Sequence, residues 1–175
     1  MEYKLDASQL RAYAPILRAG DRVILSGTVY TARDAAHKRI AAGIESGSKL
    51  PFELKDAVIY YAGPTPAPQG LAVGACGPTT SCRMDVFTPL LLDNGLAAMI
   101  GKGERNAAVC DSIIKNKAVY LCAIGGAGAL AAKSIKQCDV IAYDDLGCES
   151  VKKLLFCDFP LTVAVDCSGG NIFAR

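Results

Sequence analysis

Tryptophan is absent from the 175 residues, histidine occurs once, and no two cysteines form a Cys-x-x-Cys pair. Each scarcity excludes something. The eight cysteines, at positions 76, 82, 110, 122, 138, 148, 157 and 167, lack the spacing by which one turn presents two thiolates to a structural zinc. They also lack the cysteine run that holds an iron–sulfur cluster within one chain. Disulfide frameworks serve small secreted domains that cannot build a core. This chain, 51% hydrophobic and 21% charged, is long enough to bury one as a single domain. Cysteines inside apolar runs, such as Cys122, therefore read as small reduced core residues. No apolar run approaches the ~20 residues that span a bilayer. The opening MEYKLDASQL is too acidic and polar for a signal peptide, so the expected location is cytoplasmic. An excess of one charge is missing as well: a net +2 gives no broad nucleic-acid footprint.

What is present is an alternation of short apolar runs with helical periodicity. Residues 9–17 read as a helix and 22–25 as a strand. Thr31-Ala32-Arg33-Asp34 has the form of a capping box with Asp in place of Glu, opening a helix that runs to about residue 45. Ala36, Ile40 and Ile44 form its apolar stripe. His37, the single histidine, follows Arg33 by one turn on the same face. Residues 56–62 (DAVIYYA) read as a buried strand, 63–70 as a proline-stiffened loop and 71–75 as a short strand. A helix over 104–115 and a strand over 118–124 follow. An alanine-rich helix is expected to end near 137, then strands over 139–143 and 161–165. Residues 151–156 fit helix or strand. There is no internal repeat and no flexible linker.

The stretch 75–106 is organised differently. Gly77-Pro78 turns the chain into two hydroxyls, Thr79 and Thr80, and a guanidinium at Arg83. Thr88-Pro89 reads as an N-cap and first helical residue, and Asp93-Asn94-Gly95 as that helix's end. A short apolar run then delivers Lys102 between two glycines. Hydroxyl, arginine and lysine at the ends of apolar elements are the groups that converge on a small anion.

GPTTSxRMDxxTPxLLxxG at 77–95, followed by MIGKG at 99–103, resembles the beta subunit of class I iron–sulfur fumarate hydratases and L(+)-tartrate dehydratases. In larger relatives the same region is the C-terminal domain of one chain. SGTVYTARDAAHKR at 26–39 and VIAYDDLGCESVKKL at 140–154 extend the resemblance over nearly the whole chain. Cys82 departs from it, standing where glycine or another small residue is expected. The resemblance implies an α/β fold, a swivelling β/β/α domain whose mixed sheet or partly open barrel carries flanking helices. It also implies one subunit of a hydro-lyase acting on a 2-hydroxy dicarboxylate, malate/fumarate first and L-tartrate/oxaloacetate next. The alpha subunit would hold a four-iron, four-sulfur cluster as Lewis acid, with no cofactor in this chain itself; a homodimer or heterotetramer is expected. Arg33 and Arg83 match family arginines that grip substrate carboxylates. Lys102 matches a lysine of the same pocket and Thr79 the proton-abstracting base. Asp34 and His37 are further candidates.

Two other classes stay open on the residues alone. Gly126-x-Gly128-x-x-Ala131 after an apolar strand, with Asp144-Asp145 ending the next one, imitates a dinucleotide-binding turn. Only about 30 residues follow Asp145, too few for the rest of such a domain. The second class is a scaffold without a small-anion site, in which substitutions at Thr79, Arg83 or Lys102 change assembly and leave turnover alone.

Overall fold

The computed structural model describes residues 1–174. Five strands run parallel side by side in chain order: β1 (Glu2–Asp6), β2 (Arg22–Thr31), β3 (Val58–Tyr60), β4 (Ala98–Gly101) and β5 (Val119–Cys122). Two more, β6 (Ile135–Ala142) and β7 (Val151–Val165), are antiparallel to each other. β7 pairs with β5 near its end and with β2 along most of its length. The sheet thereby closes on itself as β2–β3–β4–β5–β7, a mixed five-strand barrel with β1 and β6 on its flanks.

Period-2 alternation decides what fills the barrel. Val23, Leu25 and Val29, then Val58, Tyr60, Ala98, Ile100, Val119, Leu121, Leu161 and Val163 all join one buried cluster. The intervening Ile59, Met99, Tyr120 and Ala164 point the other way, into a second cluster. That cluster is completed by helices α2 (Asp34–Ser46), α3 (Thr88–Asp93) and α4 (Ala107–Lys115) through Ala36, Ile40, Leu91, Leu92, Val109 and Ile113. Each large aliphatic side chain so buried contributes roughly 1.5–3 kcal/mol. Phe156 and Phe159 stack at 4.3 Å inside the barrel, and Tyr60 meets both edge-on. Two short α-helices, α1 (Leu10–Tyr13) and α5 (Gly128–Lys133), and 3-10 turns at Ala7–Gln9, Ser81–Met84 and Asp144–Glu149 complete the described elements.

Barrel closure needs a bend, and β2 supplies it. Its register with β7 slips between Leu25 and Gly27, and Gly27 takes a φ of +100° that a side chain would strain against. Opposite, Asp158 adopts φ +51° and donates its N–H to the Ser26 hydroxyl. β7 therefore passes through residues 157–160 as one bent strand.

Several boundaries move. The helix expected over 9–17 is a 3-10 turn (Ala7–Gln9) followed by four α-helical residues. Residues 71–75 form no strand. The alanine-rich helix stops at Lys133 because residues 135–142 pair with β7. Thr31 does not cap α2. It is the last residue of β2, paired with Tyr60, and its hydroxyl faces Ser150 and Lys152. Phe87, and not Thr88, occupies the N-cap of α3; the Thr88 hydroxyl donates to the Met84 carbonyl instead.

Candidate active site

Parallel neighbouring strands send their following loops to one edge, where open α/β sheets bind ligands. Here the ends of β2, β3, β4 and β5 deliver Arg33, Gly63, Lys102 and Gly125 respectively. The 77–83 loop is stitched across this rim. Thr79 donates its N–H to the Tyr61 carbonyl at 2.6 Å, just past β3. Thr80 forms an isolated parallel bridge with Lys102, and Ser81 donates its N–H to the Lys102 carbonyl at 2.9 Å. The Ser81 hydroxyl accepts from Lys102 N–H at 3.1 Å and from the Tyr120 hydroxyl at 2.8 Å. A Cβ at Gly101 would overlap that serine hydroxyl, which is why glycine precedes the lysine. The Lys102 stem runs past Gly125, where an added Cβ would stand 3.4 Å from its Cδ. Backbone hydrogen bonding thus sets Thr79 and Lys102 on adjacent segments of one rim.

Arg83 leaves the 3-10 turn Ser81–Met84 and meets Asp34, the first residue of α2: Nε donates to Oδ1 at 3.0 Å, while Nη2 lies 2.9 Å from Oδ2, a buried oxygen left without a hydrogen bond. Arg33, one residue earlier, lies against Gly63, where a Cβ would come within 2.9 Å of its Nη1. Its Nη2 is 3.4 Å from a Glu149 carboxylate oxygen, and its Nε is buried without an acceptor. Each arginine therefore faces a carboxylate of the chain itself. Lys102 makes no ion pair among the described residues.

His37 is buried behind Arg33 and Tyr61. It is fully buried, edge-on to Tyr61 at 5.3 Å and near Phe87. Its Nδ1 lies 2.9 Å from the Arg33 carbonyl, an acceptor, so that nitrogen carries the proton. Nε2 is buried with no partner. Burial pushes the imidazole down to about 4, so the ring is neutral at pH 7. It belongs to the packing between α2 and β3.

Three groups escaped the sequence reading. Ser81 lies inside the resembling motif, yet the partners of its hydroxyl, Lys102 and Tyr120, are distant in sequence. Glu149 lies 114 residues from the Ala35 amide it contacts, so no local pattern could join them. Arg105, beside the MIGKG run, is wholly out of solvent. It donates to Asp85 at 2.6 Å and Thr88 at 2.7 Å, and lies over the rings of Tyr61 and Tyr120.

The imitation of a dinucleotide turn resolves into packing. Cys76 N–H donates to the Gly128 carbonyl, and a Cβ on Gly128 would stand 3.1 Å from Gly77 N. The strand after α5 pairs with β7 and not with β5, so there is no parallel crossover to form a cofactor crevice. The cysteines do not assemble a metal centre either. Among the described residues no three of Cys, His, Asp and Glu are grouped to hold an ion, and Cys76 is buried while Cys82, Cys148 and Cys157 are exposed. This side-chain set does not fit a four-iron cluster. No helix of the described residues is long and apolar enough to cross a membrane.

The sequence profile described as Fumarase C-terminus matches residues 1–175. Fumarate hydratase 2 of Leishmania major is 41% identical over 158 residues, 89% of this chain and 28% of that protein. The anaerobic class I fumarate hydratase of Escherichia coli is 42% identical over 156 residues, again 28% of its length. A putative L(+)-tartrate dehydratase subunit beta of Methanocaldococcus jannaschii is 39% identical over 163 residues, covering 90% of this chain and 84% of that subunit. The chain thus spans little more than a quarter of the fumarate hydratases it matches and most of the tartrate dehydratase subunit.

Proposed function

The chain belongs to the Fumarase C-terminus family, and from that premise we propose that it is the beta component of a two-part hydro-lyase. Its reaction is the reversible loss of water from a 2-hydroxy dicarboxylate, malate/fumarate first and L-tartrate/oxaloacetate next. Its subunit-sized match to a tartrate dehydratase beta chain supports the two-part organisation. The iron–sulfur cluster is assigned to the partner, an alpha subunit. All eight cysteines are free, which suits a reducing cytoplasm.

The observation that carries this reading is the stitched rim: Thr79 tied to the end of β3, Lys102 to the end of β4, and Arg33 and Arg83 flanking the start of α2. Removing a proton from the carbon beside a carboxylate builds negative charge on that carboxylate. Fixed cations aimed at it stabilise the transition state more than the ground state. A planar arginine fork suits two carboxylate oxygens, and Lys102 adds a point charge beside them. Thr79 acts as base in its alkoxide form, whose cost the neighbouring cations lower; the alkoxide takes the proton from carbon and becomes the hydroxyl.

The test is anaerobic kinetics of this chain assembled with its alpha subunit, against malate, fumarate, L-tartrate and oxaloacetate. Thr79→Val keeps shape and removes the oxygen. As a base, Thr79 is worth ~10²–10⁴-fold, so kcat falls by at least ~100-fold with affinity little changed. A loss within about tenfold, the size of one positioning hydrogen bond, removes Thr79 from that role. An assembled enzyme that turns over none of the four compounds overturns the reading as a whole.

A further inference from the structure

α2 begins without a cap of its own: Arg33 occupies the N-cap and makes no side-chain cap bond. The missing acceptor comes from the far end of the chain. Glu149 accepts the Ala35 N–H at 3.2 Å through one oxygen and meets Arg33 Nη2 at 3.4 Å through the other. The two side chains are only 21% and 23% exposed. Across the guanidinium lies Gly63, where a Cβ would stand 2.9 Å from Arg33 Nη1 and 3.0 Å from the Cys148 carbonyl. Arg33 is therefore slotted between a bare backbone and the 148–149 segment.

That segment is itself fixed. Lys152, buried in β7, donates from Nζ to the Ser150 hydroxyl at 2.7 Å and the Cys148 carbonyl at 3.1 Å, with Gly147 and Ser150 carbonyls at 3.3 Å. Thr31 completes the tie. Its hydroxyl accepts Lys152 N–H at 3.0 Å and donates to the Ser150 carbonyl at 3.3 Å. A carboxylate held at its base by this cage and at its tip by a helix amide does not swing freely.

We propose that Glu149 is a positioning residue, which fixes the Arg33 guanidinium in the orientation that receives a substrate carboxylate. The proposal deepens the hydro-lyase reading and rests on it. Glu149 touches no substrate; it acts through Arg33. An unrestrained arginine samples many rotamers, and a displacement of about 1 Å at a gripping group can cost ~10²-fold in rate. Clamping the fork before substrate arrives removes that ordering cost from binding.

The opposite role is also physically defined: Glu149 could be a place-holder that substrate must evict. The two differ in the sign of one measurement. Glu149→Gln keeps size and the acceptor for Ala35 N–H but loses the charge that holds Arg33. In the enzyme assembled with its alpha subunit, a positioning role raises KM and lowers kcat/KM by ~10–100-fold. The melting temperature of the isolated chain stays close to wild type, and Glu149→Asp recovers part of the activity. In an Arg33→Met background, Glu149→Gln then has no further kinetic effect, because the residue it works through is gone. A lower KM in Glu149→Gln, unchanged kinetics, or full additivity with Arg33→Met overturns the proposal while leaving the hydro-lyase reading intact. A wild-type assembly without dehydration activity overturns both.

Discussion

Two arginine–aspartate pairs anchor the segment from residue 79 to 106, and they are built for opposite ends. Arg105–Asp85 is interior, its side chains 0% and 7% exposed. Most positions around it are used, with only Arg105 Nη1 buried without a hydrogen-bond partner. Asp85 also accepts the Asn106 N–H at 2.8 Å, and the guanidinium lies between the rings of Tyr61 and Tyr120. Arg83–Asp34 is at the rim, 49% and 33% exposed, joined by one hydrogen bond and with no third partner. Where water is absent, breaking a pair strands a charge; where water is present, another carboxylate can take the aspartate's place. The first pair rivets the loop to the barrel wall. The second is exchangeable, which suits the carboxylate grip proposed for Arg83.

The largest effect expected from this contrast is on stability. Arg105→Met leaves Asp85 buried and unpaired, and breaking a buried pair in this way typically costs about 3–5 kcal/mol. Urea unfolding of the isolated chain measures it. A loss below about 1 kcal/mol would place Arg105 in the same class as Arg83 and dissolve the distinction.

His37 sharpens the comparison, since it lies in the same polar interior. Its neutral form is favoured in the folded state, where burial brings it from 6.5 to about 4, aided by the Arg105 charge and opposed by the Arg33 carbonyl and Asp34. The unfolded chain therefore binds a proton that the folded chain refuses. Stability is fully present above about pH 6.5, falls as pH drops toward about 4, and levels off below. The drop is on the order of 3 kcal/mol at ~1.4 kcal/mol per unit. Denaturant midpoints at pH 7 and pH 5, compared with those of His37→Phe, isolate it: the variant should lose most of the pH dependence in that window. An unchanged slope would mean that the imidazole is reached by solvent.

Legibility in the sequence followed the range of the interactions. The strands over 56–62 and 118–124 were readable from their apolar runs, because β3 and β5 are buried on both faces. Asp93-Asn94-Gly95 was readable as a helix end, and Gly95 does take φ +97°. Thr31 was misread because a capping box and a strand terminus look alike locally; the pairing of Thr31 with Tyr60 decides it. Residues 135–137 read as the end of the alanine-rich helix because helix propensity is local, whereas the partner that makes them strand is β7; the strand expected over 139–143 is present and begins four residues earlier. For the rim, local turn chemistry exposed the residues that supply charge, Arg83 and Lys102. Those that hold charge in place, Ser81, Tyr120 and Glu149, act across 21 to 114 positions and left no mark on their own neighbourhoods.

The smallest expected effect is at the exchangeable pair. Asp34→Asn removes the charge facing Arg83 and weakens the favourable interaction of an acidic residue with the start of α2. With half of Arg83 in solvent, the stability cost should stay below about 1 kcal/mol. The kinetic consequence has the opposite sign. If substrate must replace Asp34 on the Arg83 fork, an interaction worth ~0.2–1 kcal/mol no longer competes, and KM falls by roughly 1.4- to 5-fold. The difference between Asp34→Asn and wild type should shrink between 0.05 and 0.5 M salt, at about 13 Å and 4 Å of screening length, because the competing pair is exposed. Steady-state kinetics of the assembled enzyme at the two ionic strengths measures both. A rise in KM with a fall in kcat, at unchanged stability, would show that Asp34 orients Arg83 as Glu149 is proposed to orient Arg33. The rim would then be clamped at both arginines, and exchange would not be how it admits a dicarboxylate.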